Sequence, residues 1–314
     1  MQHEGNRQEV ELVSIIIPCF RQAHLLGEAI ESVLAQSYPH FEIIVVDDDS
    51  PDDPAQVVKR YPSVRYLHQD NRGPSAARNN GTQASSGTYL VFLDADDRLL
   101  PNHLQANLKA FEEHPDAGFV CGDYRWFGAE DTWHTHDCRP SPDHYATLLR
   151  RNFIGPPHVV MFKRKVLQEV GGFRIGSRCE DQELYLCIAR SYPIYCHHEI
   201  IAEYRRHGTQ WSQKCDIMLR NSLRVLGRQE EYIKRNVIYR EARQSGILFR
   251  QRLYEGGLIH QILRDFEEHN WQSAARALYV FMLYHPRGLV TAVWNKLRKK
   301  ISGRPAGSGR ARDN

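Results

Sequence analysis

Two hydrophobic rhythms alternate along the first 122 residues. Residues 12–17 form a short, nearly unbroken apolar run, the pattern of a strand buried on both faces. Leu26, Ile30, Val33 and Leu34 then recur at helical spacing, which predicts an amphipathic helix over 24–36. Tyr38-Pro39 ends it, because the residue before a proline avoids the helical region. A second apolar strand, 41–46, breaks at Asp47-Asp48-Asp49-Ser50-Pro51, and a weaker one follows at 64–68. Residues 73–86 read as a helix with Pro74 in its first turn. Residues 88–93 read as a buried strand that runs straight into Asp94-Ala95-Asp96-Asp97. A helix over 101–113 and a strand over 117–122 complete this half.

Strands alternating with helices predict an open, mostly parallel sheet covered by helices on both faces. Such sheets bind ligands in the crevice at the carboxyl ends of their strands. Two strong strands here end in aspartates, so those acids are expected to converge on one crevice.

The pattern then changes twice. Residues 124–157 are polar, aromatic and proline-bearing, and read as long loops with a short helix near 145–151. Residues 158–162 read as a strand, followed by a helix to Val170 stopped by Gly171-Gly172. A helix over 180–189 and a strand over 194–204 follow. Beyond Ser212 helical periodicity dominates: 217–266 is rich in Arg, Glu and Gln, 271–284 is a more apolar helix, 289–301 is a basic amphipathic helix, and 302–314 reads as a disordered basic tail.

Composition adds limits. The chain has 314 residues, 41% hydrophobic and 25% charged, which excludes a mostly disordered or collagen-like chain. The longest apolar run, 277–284, is far below the ~20 residues a bilayer span needs. The polar opening stretch is no secretory leader, and seven cysteines without a CxxC pair fit free thiols in a reducing compartment, so the expected location is cytoplasmic. The net charge of +3 is no nucleic-acid signature, and no nucleic-acid partner is expected. Residues 286–314, however, carry eight Lys/Arg against the single acid Asp313. With the apolar helix before them, they read as a peripheral contact with an anionic membrane, or as a solvated charged terminus.

Four constellations carry candidate chemistry. Asp94-x-Asp96 at the end of a buried strand suits a hard divalent cation beside a diphosphate; the alternative is a solvated turn capping the next helix. Asp48 can accept hydrogen bonds from a nucleobase or ribose, or satisfy local backbone donors. In Gly73-Pro74-Ser75-Ala76-Ala77-Arg78-Asn79 the small residues permit close approach to a ligand, and Arg78 can pair with phosphate or base, or lie on the surface. Glu180-Asp181 at a helix start offers a general base or an N-terminal cap. No GxGxxG follows the first strand, and no GxxxxGK[ST] or GxSxG is present, which argues against a dinucleotide dehydrogenase, a P-loop enzyme and a serine hydrolase.

These residues together resemble the family 2 glycosyltransferases of the GT-A fold. The resemblance runs through Val13-Ser14-Ile15-Ile16-Ile17-Pro18-Cys19-Phe20, Ser32-Val33-Leu34-Ala35-Gln36-Ser37-Tyr38-Pro39, Phe41-Glu42-Ile43-Ile44-Val45-Val46-Asp47-Asp48 and Asn71-Arg72-Gly73-Pro74-Ser75-Ala76-Ala77-Arg78-Asn79. It continues through Phe92-Leu93-Asp94-Ala95-Asp96-Asp97, Val170-Gly171-Gly172-Phe173, Glu180-Asp181 and Tyr204-Arg205-Arg206-His207 with Ser212. It covers about two-thirds of the chain. It implies a GT-A-like, Rossmann-like open mixed sheet with helices on both faces, plus a C-terminal helical extension. The implied layout is a transferase domain over 1–212, with a nucleotide-sugar half at 12–122 and an acceptor half at 123–212, then a helical region at 213–301 and the tail at 302–314.

The resemblance also implies a nucleotide-sugar donor, with a UDP-sugar expected, a saccharide or glycolipid acceptor, and Mn²⁺ or Mg²⁺. Pro18, Phe20 and Asp48 would hold the nucleobase and ribose, Arg78 would lie near the base or diphosphate, and Asp94 would contact ribose or a metal-bound water. Asp96 would ligate the metal directly, with Asp94 and His207 as further candidates; His207 falls where some relatives contact the diphosphate or the metal. Asp181 would be the catalytic base, with Glu180 beside it. The chain departs from the pattern in two places: Cys19-Phe20-Arg21 stands where the pattern has Thr-Tyr-Asn, so Phe20 lacks the tyrosine hydroxyl, and Asp49 stands where it has a glycine. Membrane helices and the Gln-x-x-Arg-Trp motif of processive synthases are missing from the sequence, which favours single addition, with inversion at the anomeric carbon, in polysaccharide biosynthesis. Competing readings are a sugar-nucleotide pyrophosphorylase, whose glycine- and basic-rich first loop is missing, and a non-catalytic carbohydrate-binding or scaffold protein derived from a transferase.

Overall fold

A computed structural model describes residues 11–128, 135–136, 141–206 and 214–284. In chain order its elements are β1 (Val13–Cys19), α1 (Ala23–Leu34), β2 (Phe41–Asp47), α2 (Pro54–Val58), β3 (Val64–His68), α3 (Pro74–Ala84), β4 (Tyr89–Phe92), β5 (Arg98–Leu99), α4 (His103–Glu113), β6 (Phe119–Gly128), β7 (Thr135–His136), α5 (His144–Arg150), β8 (Val160–Lys163), α6 (Arg164–Glu169), α7 (Glu180–Ala189), β9 (Ile194–Arg206), α8 (Cys215–Gly227), α9 (Glu230–Ile233), α10 (Val237–Glu267) and α11 (Trp271–Tyr284).

The strands form one open mixed sheet in the order β3-β2-β1-β4-β8-β6-β9-β5, with β7 on β6. β1 pairs in parallel with β2 and β4, and β2 with β3. β8 runs antiparallel between β4 and β6, while β6 and β9 are parallel. Every residue of β1 is buried, as its unbroken apolar run requires. α1 buries Leu26, Ile30 and Val33, whereas Leu34, predicted on the same face, is exposed. α3 lies close on the sheet because Gly81 has no side chain; a Cβ there would collide with Ile16. The small residues of this helix thus serve its approach to the sheet.

Four features differ from the sequence-based reading. Residues 124–128, expected as loop, extend β6, because a register shift after Cys121 lets Tyr124–Gly128 pair with the end of β9. His158, expected to open a strand, lies in a 3₁₀ turn, Pro157–Val159, ahead of β8. α2 and β5, of five and two residues, were not anticipated; neither spans a full hydrophobic repeat. The long helical stretch after residue 214 is three helices, and Asn236 caps the longest, α10, by accepting from the backbone N–H of Tyr239.

One core runs from the sheet into the C-terminal helices, taking in Val225, Leu226, Ile233 and Ala242. A second, smaller cluster joins α8, α10 and α11 through Leu219, Leu258, Ala277, Val280 and Phe281. Among the described residues, no helix is long and apolar enough to cross a membrane.

Candidate active site

Because β1, β2 and β4 are parallel, their carboxyl ends lie along one edge of the sheet, and that edge carries the aspartates. Pro18 sits near the end of β1, beyond the last residue paired with β4, where a missing N–H is tolerated. Phe20 follows it and is 39% exposed, with the Arg21 guanidinium 5.1 Å from its ring centroid.

Asp48 is buried and accepts three hydrogen bonds: from the Arg72 and Gly73 backbone N–H groups at 2.8 Å each and from Gln69 Nε2 at 2.7 Å. Its donors are therefore not local ones. They bind the end of β2 to the loop that opens α3. Gly73 itself is left-handed, φ +84°, which explains glycine there. Asp49, where the family pattern has glycine, also adopts a left-handed backbone, φ +63°, a conformation Asp tolerates better than most residues.

α3 delivers Arg78 to the centre of the site. Its buried guanidinium donates to Asp94 Oδ1 at 2.6 Å and to Glu180 Oε1 at 2.9 Å. Burial alone would lower its basicity, but the two carboxylates outweigh it and raise it, so Arg78 is a permanent cation. One residue on, Asn79 holds the backbone of Phe173 from both sides, donating to its carbonyl at 2.7 Å and accepting from its N–H at 2.9 Å. The Phe173 ring lies 5.3 Å from the Arg78 guanidinium.

α7 opens with Glu180, Asp181 and Glu183 in its first turn, where the helix dipole favours acids. Burial, then the adjacent Glu180 charge, push Asp181 up to about 7, against the Gln182 backbone hydrogen bond and Arg78, which pull it down. A carboxylate poised near neutrality is a competent general base. Glu183 turns the other way, bound by Arg174 at 2.8 Å and Arg228 at 2.7 Å, and ties this helix to the loop before it and to α8's end.

The structure thus brings Arg78, Asp94, Glu180 and Asp181 together, and links Asp48 to them through α3. Asp96 follows Asp94 at the strand end and is nearly buried. His207 lies outside the described residues, as does the basic segment 289–301. Sequence reasoning missed Asp97 and His158, a fully buried pair with Nδ1 to Oδ2 at 2.9 Å. Burial lifts Asp97 to about 6, while the facing aspartates outweigh burial and lift His158. Only Asp97 gave a signal: a third acid in an Asp-x-Asp-Asp run at the end of a buried strand can turn inward, and a buried acid needs a counter-charge. Asp94, Asp97 and His158 place donor atoms within 4.8 Å of one another, but Asp97 and His158 already engage each other. The part-exposed carboxylate of Asp94 and that of Asp96 offer hard oxygen donors, which fit Mg²⁺ or Mn²⁺.

Comparison with known proteins bears on the family and the fold. The sequence model described as Glycosyl transferase family 2 matches residues 14–171. An uncharacterized glycosyltransferase of Rickettsia felis is 42% identical over 105 residues, 32% of this chain; the chain spans only 17% of that relative's length. Among solved structures, Staphylococcus aureus TarS 1–349 in complex with UDP-GlcNAc aligns over 87% of this chain and 81% of its own, with TM-score 0.63 and 17% identity. The mannosyltransferase PcManGT of Pyrobaculum calidifontis, in complex with GDP-Man and Mn²⁺, aligns over 93% and 81%, with TM-score 0.60 and 17% identity. At such identities the structures show a shared fold.

Proposed function

The chain belongs to glycosyltransferase family 2, and on that premise we propose that it moves a single sugar from a nucleoside-diphosphate sugar to a hydroxyl of a saccharide or lipid-linked saccharide, inverting the anomeric carbon. The observation that carries this reading is Arg78 bridging Asp94 and Glu180 beside an Asp181 poised near pH 7. The TarS and PcManGT complexes with UDP-GlcNAc and with GDP-Man and Mn²⁺ support a nucleotide-sugar donor; a UDP-sugar is our choice.

Asp48 fixes the loop against which the base and ribose lie, with Pro18 beneath and the exposed Phe20 ring free to cover the base. A divalent ion would be held by Asp96 with Asp94, and when bound would supply positive charge against the departing nucleoside diphosphate. Arg78 keeps Asp94 and Glu180 at fixed separation. Asp181 takes the proton from the acceptor hydroxyl as that oxygen bonds the anomeric carbon and the sugar–phosphate bond breaks. Attack opposite the leaving group inverts the configuration.

We place the enzyme in the cytoplasm, resting on an anionic membrane. α11 supports this: Ala274, Ala277, Val280 and Phe281 face the protein, while Trp271, Tyr279, Met282 and Leu283 are exposed just ahead of the basic segment. The function is tested by a thermal-shift panel of nucleoside diphosphates and their sugars. UDP or UDP-sugars with Mn²⁺ should raise the melting point, and EDTA should cancel the rise. A panel without any stabilising nucleotide would overturn the reading.

A further inference from the structure

We propose that Asp97, His158 and Arg205 form a clamp that fixes the Asp94–Asp96 turn against β9, and so act as positioning residues for the divalent ion and diphosphate. The inference rests on the metal-dependent reading above and extends it to residues that need not touch either ligand.

The turn between β4 and β5 is held from below and from one side. From below, Asp97 Oδ2 meets His158 Nδ1 at 2.9 Å with both side chains out of solvent. The His158 carbonyl oxygen is itself held at 2.8 Å by the buried His103 Nε2 of α4, so this support does not slide. From the side, the backbone N–H of Arg205 donates to Asp97 Oδ1 at 2.8 Å, and Arg205 Nε donates to the carbonyl of Asp96 at 2.8 Å. The same guanidinium reaches Glu28 of α1 at 2.7 Å and lies 4.4 Å from the Phe127 ring centroid. Asp96 therefore has its main chain pinned on one side while its neighbour's carboxylate is pinned beneath.

A buried ion pair adds little stability over apolar packing of the same volume, because desolvation cancels most of the attraction. What it adds is direction. Removing one partner alone leaves the other buried without its counter-charge, so Asp97→Asn should lower stability as well as loosen the aim of Asp94 and Asp96. Partners one layer behind metal ligands commonly change metal affinity ten- to a hundredfold when substituted.

The test is a Mn²⁺ titration of the whole chain with saturating UDP, read by melting temperature and by electron paramagnetic resonance of free Mn²⁺. Donor and acceptor KM are measured alongside. Asp97→Asn should raise the Mn²⁺ concentration at half-effect about tenfold and raise donor KM, with acceptor KM unchanged. Arg205→Met, on a partly exposed side chain that leaves the Asp97–His158 pair intact, should move both in the same direction by a smaller factor. If Asp97→Asn does not fold, Arg205→Met decides alone. Unchanged Mn²⁺ midpoints in the folded variants, with only a lower kcat or melting point, overturn the clamp. If the unsubstituted chain shows no Mn²⁺-dependent effect, the metal reading itself fails and the clamp falls with it.

Discussion

Two buried arginine–carboxylate networks in this chain have opposite designs. In the C-terminal helices, Asp216 is wholly buried and fully occupied: Gln261 Nε2 donates to one oxygen at 2.9 Å and Arg276 Nε to the other. Three helices meet there, and solvent reaches the cation rather than the anion, with the Arg276 side chain 44% exposed. In the sheet half, Arg78 is equally buried, yet its partners stay partly open, with the Asp94 side chain 29% and the Glu180 side chain 13% exposed. The arrangement is inverted: the cation is sealed and the anions face outward. A closed network holds helices together, whereas a network with exposed anions keeps charge available for an incoming cation.

The sharpest way to break that comparison is at the open network. Asp181→Asn should lower kcat by about 10²–10⁴-fold, and the acid limb of kcat/KM near pH 7 should vanish with it. The sign follows from the raised pKa. Asp181 is neutral below about 7 and cannot accept a proton there, so wild-type activity climbs with pH up to that value and then levels. For the same reason its ionisation opposes folding, so stability is lost as pH rises from the usual carboxylate range through about 7. The Asn variant should therefore melt higher than wild type at pH 8. A variant with full turnover would remove Asp181 from the chemistry.

The closed network should respond the other way. Asp216→Ala leaves the buried Gln261 amide without its acceptor and frees the part-exposed Arg276, and should cost about 2 kcal/mol of stability in a denaturant melt. Activity per folded molecule and donor KM should not move; a change in donor KM would erase the distinction between the two networks. The smallest effect is expected at the C-terminal surface. Replacing Lys296, Arg298, Lys299 and Lys300 with Ala should reduce pelleting with anionic liposomes several-fold without affecting turnover on a soluble acceptor. Equal pelleting would leave α11's exposed aromatic side without a membrane role.

Legibility followed burial. β1, β2 and β4 were readable because they are continuous apolar runs, a pattern that follows from being packed on both sides, and α3 because it lies between turn signals. The far half of β6 was not, since at the sheet's periphery its pattern is polar and aromatic. There Arg125 pairs across to Glu203 at 2.6 Å, and Arg98 stacks over Phe127. Arg78, Asp94 and Glu180 stood out as charges at element ends. Their mutual contacts did not, because they join three distant segments. His158 gave no sign, sitting in a 3₁₀ turn without periodicity. Asn79 lay in plain view inside a motif, but its grip on Phe173 is a contact no spacing encodes.

That grip has a mechanical result. Phe173 follows two left-handed glycines, Gly171 at φ +83° and Gly172 at φ +70°, whose backbone N–H groups close the end of α6 on the carbonyls of Gln168 and Leu167. Asn79 latches it twice to the helix that carries the central arginine. A displacement of Arg78 therefore tows this glycine strap along, so the segments on either side of the Asp94 and Glu180 carboxylates travel as one piece.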